Sequence, residues 1–476
     1  MSNFVSKSFR DPDGITIDDG QRILRLLRGT GLTKLGDLAE SPVAEKFIAD
    51  GKLIRTELLQ GREAEIILSE FEGNWLGVAQ HDRIPFITYP HEWPAEMLHA
   101  AANLTLELAQ DFLQEGYGLK DATPYNILFR GAKPAFIDVL SIEKRQPLDP
   151  IWRAEAQFIR NFILPLLCWN KFGIPPNQLL LNGQDGITPE FVYKISGIMQ
   201  RMFPPFLWWV NLPVWLGAQA ERKTISQARK TPIARSPEMA RFILGRSFKR
   251  LKRALAKVAP RQSAASHWQK YEQTWLYTED QVTTKKQFIS SVLGSLSNSR
   301  ILDIGCNVGS YSLMASAHGH QVVAFDADPT VAGIAWRRAA QEKADMSILT
   351  ANFADPTPAT GWMNEECRAL LPRLSNHFDV VIGLAVMHHL IVTSGIPLAA
   401  LFEQLAKTTK KYLLLEYIDP SDQNFEKISR GRDDLYGWLN QQVFEEQAKS
   451  YFKIERKTEV IPGQRILYLF SKYKVT

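Results

Sequence analysis

The sequence predicts an α/β protein whose C-terminal half forms a doubly wound, mainly parallel sheet with an antiparallel terminal hairpin, preceded by an α+β region. From residue 300 onward, short apolar runs alternate with helical patterns, which is typical of a parallel sheet covered by helices on both faces. The last two apolar runs, 452–455 and 465–470, are separated by a short connection containing Pro-Gly, which predicts the hairpin.

The first region shows a different pattern. We expect an amphipathic helix at 20–28 and strands at 52–59, 64–71 and 75–80, divided by turn residues. A long helix at 95–115 follows. Two short runs, 127–129 and 135–137, then predict a hairpin.

Length and composition set the class of protein. A chain of 476 residues predicts two or three domains, and 45% hydrophobic with 22% charged residues is ordinary for a soluble globular protein. Cys168, Cys306 and Cys367 lie far apart, which predicts neither a disulfide framework nor a structural zinc site. Neither a signal peptide nor an apolar run of about 18 residues is evident, so we expect a cytoplasmic protein.

Positive charge is concentrated in one segment. Residues 219–262 contain thirteen Lys or Arg and two Glu, a net charge of +11 in a chain of net charge +5. We therefore predict a basic linker or helix at 222–266 between domains at 1–221 and 267–476. Apolar residues recur every three or four positions in 246–261, so this part is either a connecting helix packed on a neighbour or a surface for an anionic membrane. We consider nucleic acid the less expected partner.

The segment 300–328 carries the most specific signal. A buried strand is followed by Asp303, Gly305 and Gly309 at positions i, i+2 and i+6, then by a helix and a second strand ending at Asp326. Glycines permit a sharp turn and close approach to a ligand, and the terminal carboxylate can accept hydrogen bonds from two ribose hydroxyls. The turn lacks the Lys-Ser/Thr pair that binds triphosphates, so a nucleoside ligand is predicted.

This D-x-G-x-x-x-G spacing resembles the first motif of class I S-adenosylmethionine-dependent methyltransferases, with Asn307 where the family often has glycine. The resemblance implies a Rossmann-like methyltransferase sheet and S-adenosylmethionine as the cofactor. By the same resemblance Asp355 would face the adenine amino group, and Phe353 or Ala354 would face the ring. The implied cofactor-binding residues are Asp303, Gly305, Asn307, Gly309, Asp326, Phe353, Asp355 and Leu384.

Two histidines follow the fourth strand of this region. His388 and His389 stand in a loop that, in the family, lies beside the reacting methyl group, and they are the candidate catalytic bases. The alternative is that one caps the following helix and the other is buried.

The first region contains a second motif. In L-K-D-A-T-P-Y-N and F-I-D-V-L-S, Asp121 precedes Asn126 by five residues and Asp138 follows it by twelve. This resembles the catalytic and metal-binding loops of the protein-kinase and aminoglycoside-phosphotransferase superfamily, which implies a kinase-like domain with Asp121 as base, Asn126 and Asp138 as magnesium ligands, and ATP as a possible ligand. Leu119 replaces the family's histidine, and no glycine-rich loop precedes it. Both a substrate-binding scaffold and an active phosphotransferase remain open.

Residues 151–221 are predicted to form a helical lobe that is rich in aromatic residues. The stretch 203–218 contains three prolines and three tryptophans. One interpretation is a buried helix with a kinked approach, and the other is an apolar lid or membrane-touching loop.

The phrases F-I-T-Y-P-H-E-W, L-K-D-A-T-P-Y-N and F-I-D-V-L-S resemble bacterial two-domain methyltransferases named alongside nodulation proteins. Our leading hypothesis is methyl transfer to a small-molecule or lipid-like acceptor that the first domain binds or presents. A phosphotransferase with an attached methyltransferase, and a membrane- or nucleic-acid-docking interaction protein, are the alternatives.

Overall fold

The structure is a computed structural model that describes residues 5–6, 11–181, 183–221, 233–261 and 277–473. The chain divides into two compact units, residues 1–262 with 361–366 and residues 263–360 with 367–476. Parts of the predicted basic linker (222–232 and 262–266) and the first residues of the predicted second domain (267–276) lie outside the described residues. Over the described ranges, no helix is long and apolar enough to cross a membrane.

The first unit contains a five-stranded antiparallel sheet in the order β1-β2-β3-β5-β4 and two small antiparallel pairs, β6-β9 and β7-β8. The β7-β8 pair is the predicted hairpin. The strands are β1 (Val5–Ser6), β2 (Gly14–Asp18), β3 (Ile23–Leu27), β4 (Thr56–Leu58), β5 (Gly77–His81), β6 (Tyr117–Leu119), β7 (Ile127–Arg130), β8 (Lys133–Phe136) and β9 (Ile142–Lys144).

The helices of the first unit are α1 (Gly31–Ala39), α2 (Pro42–Ala49), α3 (Gly61–Ser69), α4 (Ala95–Gln114), α5 (Glu155–Phe158), α6 (Leu164–Phe172), α7 (Pro176–Leu181), α8 (Pro189–Ile195), α9 (Ile198–Arg201), α10 (Leu212–Glu221) and α11 (Pro237–Lys257). Two π-helical turns, Ile159–Ile163 and Leu207–Asn211, continue into α6 and α10, and 3-10 turns lie at Pro90–Glu92, Pro124–Asn126 and Val139–Ser141. The long helix α4 confirms its prediction.

Two local predictions for this unit are wrong. The helix expected at 20–28 is the strand β3, because its neighbours β2 and β5 pair with it along its whole length. The strand expected at 64–71 is largely the helix α3, which buries Ala64 and Ile67 against the sheet. A spacing of three places both side chains on one helical face, and this face covers the apolar side of the sheet.

The described part of the basic segment belongs to the first unit. Helix α11 buries one stripe, which includes Leu244, Leu251 and Leu255, and packs on α4. Asn170 donates hydrogen bonds to the carbonyls of Val258 (2.8 Å) and Ala259 (3.0 Å) just beyond its end. These contacts extend the first unit past residue 221.

The second unit contains a seven-stranded sheet in the order β12-β11-β10-β13-β14-β16-β15. Its strands are β10 (Arg300–Ile304), β11 (Gln321–Asp326), β12 (Met346–Thr350), β13 (Phe378–Gly383), β14 (Thr409–Ile418), β15 (Phe452–Ile461) and β16 (Arg465–Lys472). The first five run parallel, and β16 lies antiparallel between β14 and β15. This confirms the predicted parallel sheet with a terminal hairpin.

The helices of the second unit are α12 (Glu279–Gly294), α13 (Ser310–Ala317), α14 (Pro329–Glu342), α15 (Leu370–Leu374), α16 (Leu398–Thr408), α17 (Gln423–Ser429) and α18 (Gln441–Ala448). The strand order reverses direction between β10 and β13. Open α/β sheets bind ligands at the carboxyl ends of strands beside such a reversal, so the topology itself indicates where a site belongs.

Candidate functional site

A cavity of about 290 Å³ lies at the carboxyl ends of β10, β11 and β13, at the reversal of strand order. Six of the predicted cofactor-binding residues line this cavity: Asp303, Gly305, Asn307, Asp326, Phe353 and Leu384. Gly309 is the N-cap residue that directly precedes helix α13. The structure therefore brings the motif of residues 300–328 together with the ends of two later strands.

The loop after β10 depends on left-handed backbone at three alternate positions. Gly305, Asn307 and Gly309 have φ values of 72°, 50° and 80°. A Cβ on Gly305 would lie 3.0 Å from Val386 Cγ2, and one on Gly309 would lie 2.9 Å from Met346 Cε. Asparagine adopts this conformation more readily than most other residues, which explains how Asn307 replaces a glycine without changing the turn.

Asp326 joins the loop to the end of β11. Its Oδ2 accepts a hydrogen bond from the Asn307 N–H and its Oδ1 accepts one from the Asp328 N–H, both at 2.9 Å. Burial raises the pKa of Asp326 to about 6, and the backbone donors oppose that rise. Each carboxylate oxygen keeps a further lone pair, so Asp326 can still accept hydrogen bonds from a ligand.

A second carboxylate lies behind the loop. Asp303 is buried at 3% exposure and accepts a hydrogen bond from the Ser312 hydroxyl at the start of α13. Burial raises the pKa of Asp303 to about 6, so it too is mainly ionised at neutral pH. The cavity consequently has an electronegative wall that suits hydroxyl and ammonium donors.

Another part of the cavity wall is aromatic. Phe325 and Phe353 are stacked, with ring centroids 6.3 Å apart and ring planes 20° from parallel. Asn352 lines the cavity beside them, whereas Asp355 is exposed and does not line it. This placement differs from the prediction for Asp355. The Asn352 Oδ1 accepts a hydrogen bond from the Ala354 N–H at 2.9 Å, which forms a local turn just before residue 355.

The two histidines are not equivalent. His389 lines the cavity, whereas His388 is fully buried behind it and does not. Their rings lie 4.2 Å apart at the start of the π-helical turn His389–Thr393, and successive residues of a helical turn point in different directions. Burial lowers the pKa of His389 to about 4 and holds the pKa of His388 well below its usual value, so both are neutral at pH 7. The structure thus retains only His389 as a candidate that contacts a substrate.

A buried charge network forms the remaining wall. Glu416, at the end of β14, accepts hydrogen bonds from Lys285 Nζ (2.7 Å) and the Tyr277 hydroxyl (2.9 Å). Arg465 donates to that hydroxyl and pairs with Asp422 through Nε (2.7 Å) and Nη2 (2.9 Å). Burial favours the neutral form of Glu416, but Lys285 and Arg465 outweigh it and hold its pKa below the usual value.

The sequence motifs do not point to this network. Glu416 lies in the buried strand β14, and its partners Tyr277, Lys285 and Arg465 line the cavity. A carboxylate in a buried strand requires a cation, so the sequence carried a signal that a partner exists. The sequence gives no indication of which basic residue in the chain is that partner.

The predicted phosphotransfer residues lie in the first unit. Asp138 Oδ1 accepts a hydrogen bond from Arg25 at 3.0 Å, and Arg25 also pairs with Asp11. Burial raises the pKa of Asp121, and the nearby Asp138 adds to that effect. Asn126 ends a 3-10 turn, with its Nδ2 buried and without a hydrogen-bond partner among the described residues. In those residues no group of three or more His, Cys, Asp or Glu is arranged to hold a metal ion.

Comparison with known proteins identifies the second unit. The sequence model of a methyltransferase-domain family matches residues 247–455, which include the loop after β10 and the carboxyl ends of β10, β11 and β13. The C-terminal region is a methyltransferase domain. The prediction of a methyltransferase domain in the C-terminal half is thereby confirmed.

Relatives extend the similarity beyond the methyltransferase domain. The nodulation protein NoeA of Rhizobium meliloti is 28% identical over 477 residues, covering 98% of this chain and 96% of that protein. The O-antigen chain terminator bifunctional methyltransferase/kinase WbdD of Escherichia coli is 28% identical over 202 residues, and the match spans 41% of this chain and only 25% of that protein. The crystal structure of PH0226 from Pyrococcus horikoshii is 14% identical and covers 43% of this chain and 99% of that one, with a TM-score of 0.30.

Proposed function

We propose that the methyltransferase domain binds S-adenosylmethionine in the cavity and transfers its methyl group to a small-molecule or lipid-like acceptor. The observation that carries the proposal is the joint placement of Asp326, the left-handed loop and the aromatic pair around one cavity at the reversal of strand order. A nucleoside with a charged amino-acid tail matches a wall that offers a carboxylate, flat rings and backbone donors.

Within this site the roles of the residues follow from their chemistry. Asp326 accepts hydrogen bonds from ribose hydroxyls, while Phe325 and Phe353 provide an apolar surface for the adenine. S-adenosylmethionine supplies a methyl group on a sulfonium that leaves as a neutral thioether. The protein therefore mainly has to align the acceptor with the methyl carbon and exclude water.

His389 is the residue that we assign to the acceptor. Its neutral imidazole can accept a hydrogen bond from a hydroxyl or amine, but a pKa of about 4 makes it a weak base. We expect it to orient the nucleophile rather than to store a proton. His389→Ala should then lower kcat more than it weakens cofactor binding.

We infer that the first unit binds or presents the acceptor instead of transferring phosphate. The support is the Arg25 guanidinium, which already neutralises the carboxylate of Asp138 that a magnesium ion would need. Thermal-shift measurements with ATP and magnesium test this inference. A stabilisation by ATP that requires magnesium and disappears in Asp138→Ala would instead establish a phosphotransferase site.

Isothermal titration calorimetry with S-adenosylmethionine and S-adenosylhomocysteine tests the main proposal. Binding of one equivalent of each to the full chain is the expected result. A folded wild-type protein that binds neither compound would refute it.

A further inference from the structure

The first unit exposes a large apolar surface that its fold does not use. Helices α9 and α10, the turn Leu207–Asn211 and the connection between α9 and that turn expose several large apolar side chains, among them Ile198 and Met199 at 78% exposure and Trp208 at 57%. We call six of these side chains the apolar patch: Ile198, Met199, Phe203, Trp208, Trp215 and Leu216. Large apolar side chains exposed together on neighbouring elements often mark an interaction site.

The apolar patch rests on ordered structure. Trp209 and Val210 are buried beneath it, and the Asn211 side chain donates a hydrogen bond to the Arg201 carbonyl at 2.6 Å, which ties the turn to α9. The Arg201 guanidinium lies 3.9 Å from the centre of the Tyr193 ring. The side chains of the apolar patch are therefore exposed even though the elements that carry them are packed.

A cationic surface adjoins the apolar patch. Helix α11 buries one stripe and exposes the opposite side, whose cations we call the basic face: Arg246, Lys249, Lys252, Arg253 and Lys257. Their neighbour Arg250 pairs with Glu155 and lies 5.5 Å from the ring centre of Trp209, which places the helix beside the patch. Among the described residues, none of the five cations of the basic face forms an ion pair.

We propose that the apolar patch and the basic face together form a docking surface for an anionic lipid bilayer. Tryptophan and long apolar side chains gain most at the boundary between head groups and acyl chains, and adjacent lysines and arginines are attracted to anionic head groups. A nucleic acid would use the cations and leave the exposed apolar side chains in water. The combination of both surfaces on neighbouring elements therefore favours a membrane.

Co-sedimentation of the full chain with vesicles tests the proposal. Vesicles of phosphatidylglycerol and phosphatidylcholine should bind the protein, and phosphatidylcholine alone should bind it much more weakly. The double variant Lys249→Gln/Lys252→Gln should lose about five-fold in partitioning for each lysine removed. Ile198→Gln/Trp208→Gln should reduce partitioning at low salt and abolish the part that survives high salt, because salt screens the charges but leaves apolar contacts intact.

Trp438→Gln is the matched control, since Trp438 is 46% exposed and lies in the second unit. All variants replace exposed side chains, and equal melting temperatures would verify that they fold. Unchanged vesicle binding in both double variants would overturn the proposal. So would absence of binding to the anionic vesicles, or a tighter, charge-dependent affinity for duplex DNA than for the vesicles.

Discussion

Replacing Asp326 should weaken binding of the nucleoside ligand. The size of the loss follows from the hydrogen bonds that the Asp326 carboxylate can accept. The carboxylate accepts two 2.9 Å hydrogen bonds from backbone N–H groups and retains lone pairs for ribose hydroxyls. Hydrogen bonds to a charged group contribute about 1.5–3 kcal/mol. Asp326→Ala should therefore raise the Kd for S-adenosylhomocysteine roughly ten- to a hundred-fold, since about 1.4 kcal/mol corresponds to a factor of ten.

Calorimetry can separate the ribose contact from the support that Asp326 gives the loop. Wild-type protein should bind S-adenosylhomocysteine more tightly than its 2′-deoxy analogue, and Asp326→Asn should lose most of that discrimination. Asp355→Ala is the matched control because Asp355 is exposed and lies outside the cavity, so its Kd should not change. A folded Asp326→Ala variant with wild-type affinity would refute the assignment of Asp326 to the ribose.

Three further predictions follow from the same site. The affinity for S-adenosylhomocysteine should fall as pH drops through about 6, because protonation of Asp303 and Asp326 competes with binding. A Kd from calorimetry that stays constant between pH 5 and about 7.5 would contradict this prediction. Lys285→Met should lower the free energy of unfolding by about 3–5 kcal/mol, because it removes the cation that pairs with the buried carboxylate of Glu416. Urea titration should show that the double variant Lys285→Met/Glu416→Gln regains part of this lost stability. Gly305→Ala should abolish most ligand binding and lower the free energy of unfolding by about 1–3 kcal/mol. The reason is that residue 305 has a φ of 72° and that an added Cβ would lie 3.0 Å from Val386. Unaltered binding in calorimetry would be inconsistent with this loop geometry.

The patterns that predicted correctly are local in the chain. Apolar runs at 301–304, 321–325 and 378–383 indicate strands that are buried on both faces. The structure has strands at all three places. The glycines at 305 and 309 record a backbone requirement that the turn itself imposes. Such features are encoded within a few residues, and distant contacts rarely override them.

The incorrect predictions concern segments whose periodicity is short and ambiguous. Residues 64–71 contain an apolar run that suits a strand, but the spacing of Ala64 and Ile67 also suits a helix covering a sheet. The partner available in space decided between the two. Propensity over eight residues is a weak determinant when tertiary packing competes with it.

By itself the sequence determined a parallel sheet, its terminal hairpin, and the strand-turn-helix that holds Asp303, Gly305, Asn307 and Asp326. Only the tertiary structure decided that His389 faces the cavity while His388 lies behind it, and that Lys285 and Arg465 compensate Glu416. The reason is physical: a turn or a strand is specified by neighbouring residues, whereas the partner of a buried charge depends on which remote segments the fold brings together.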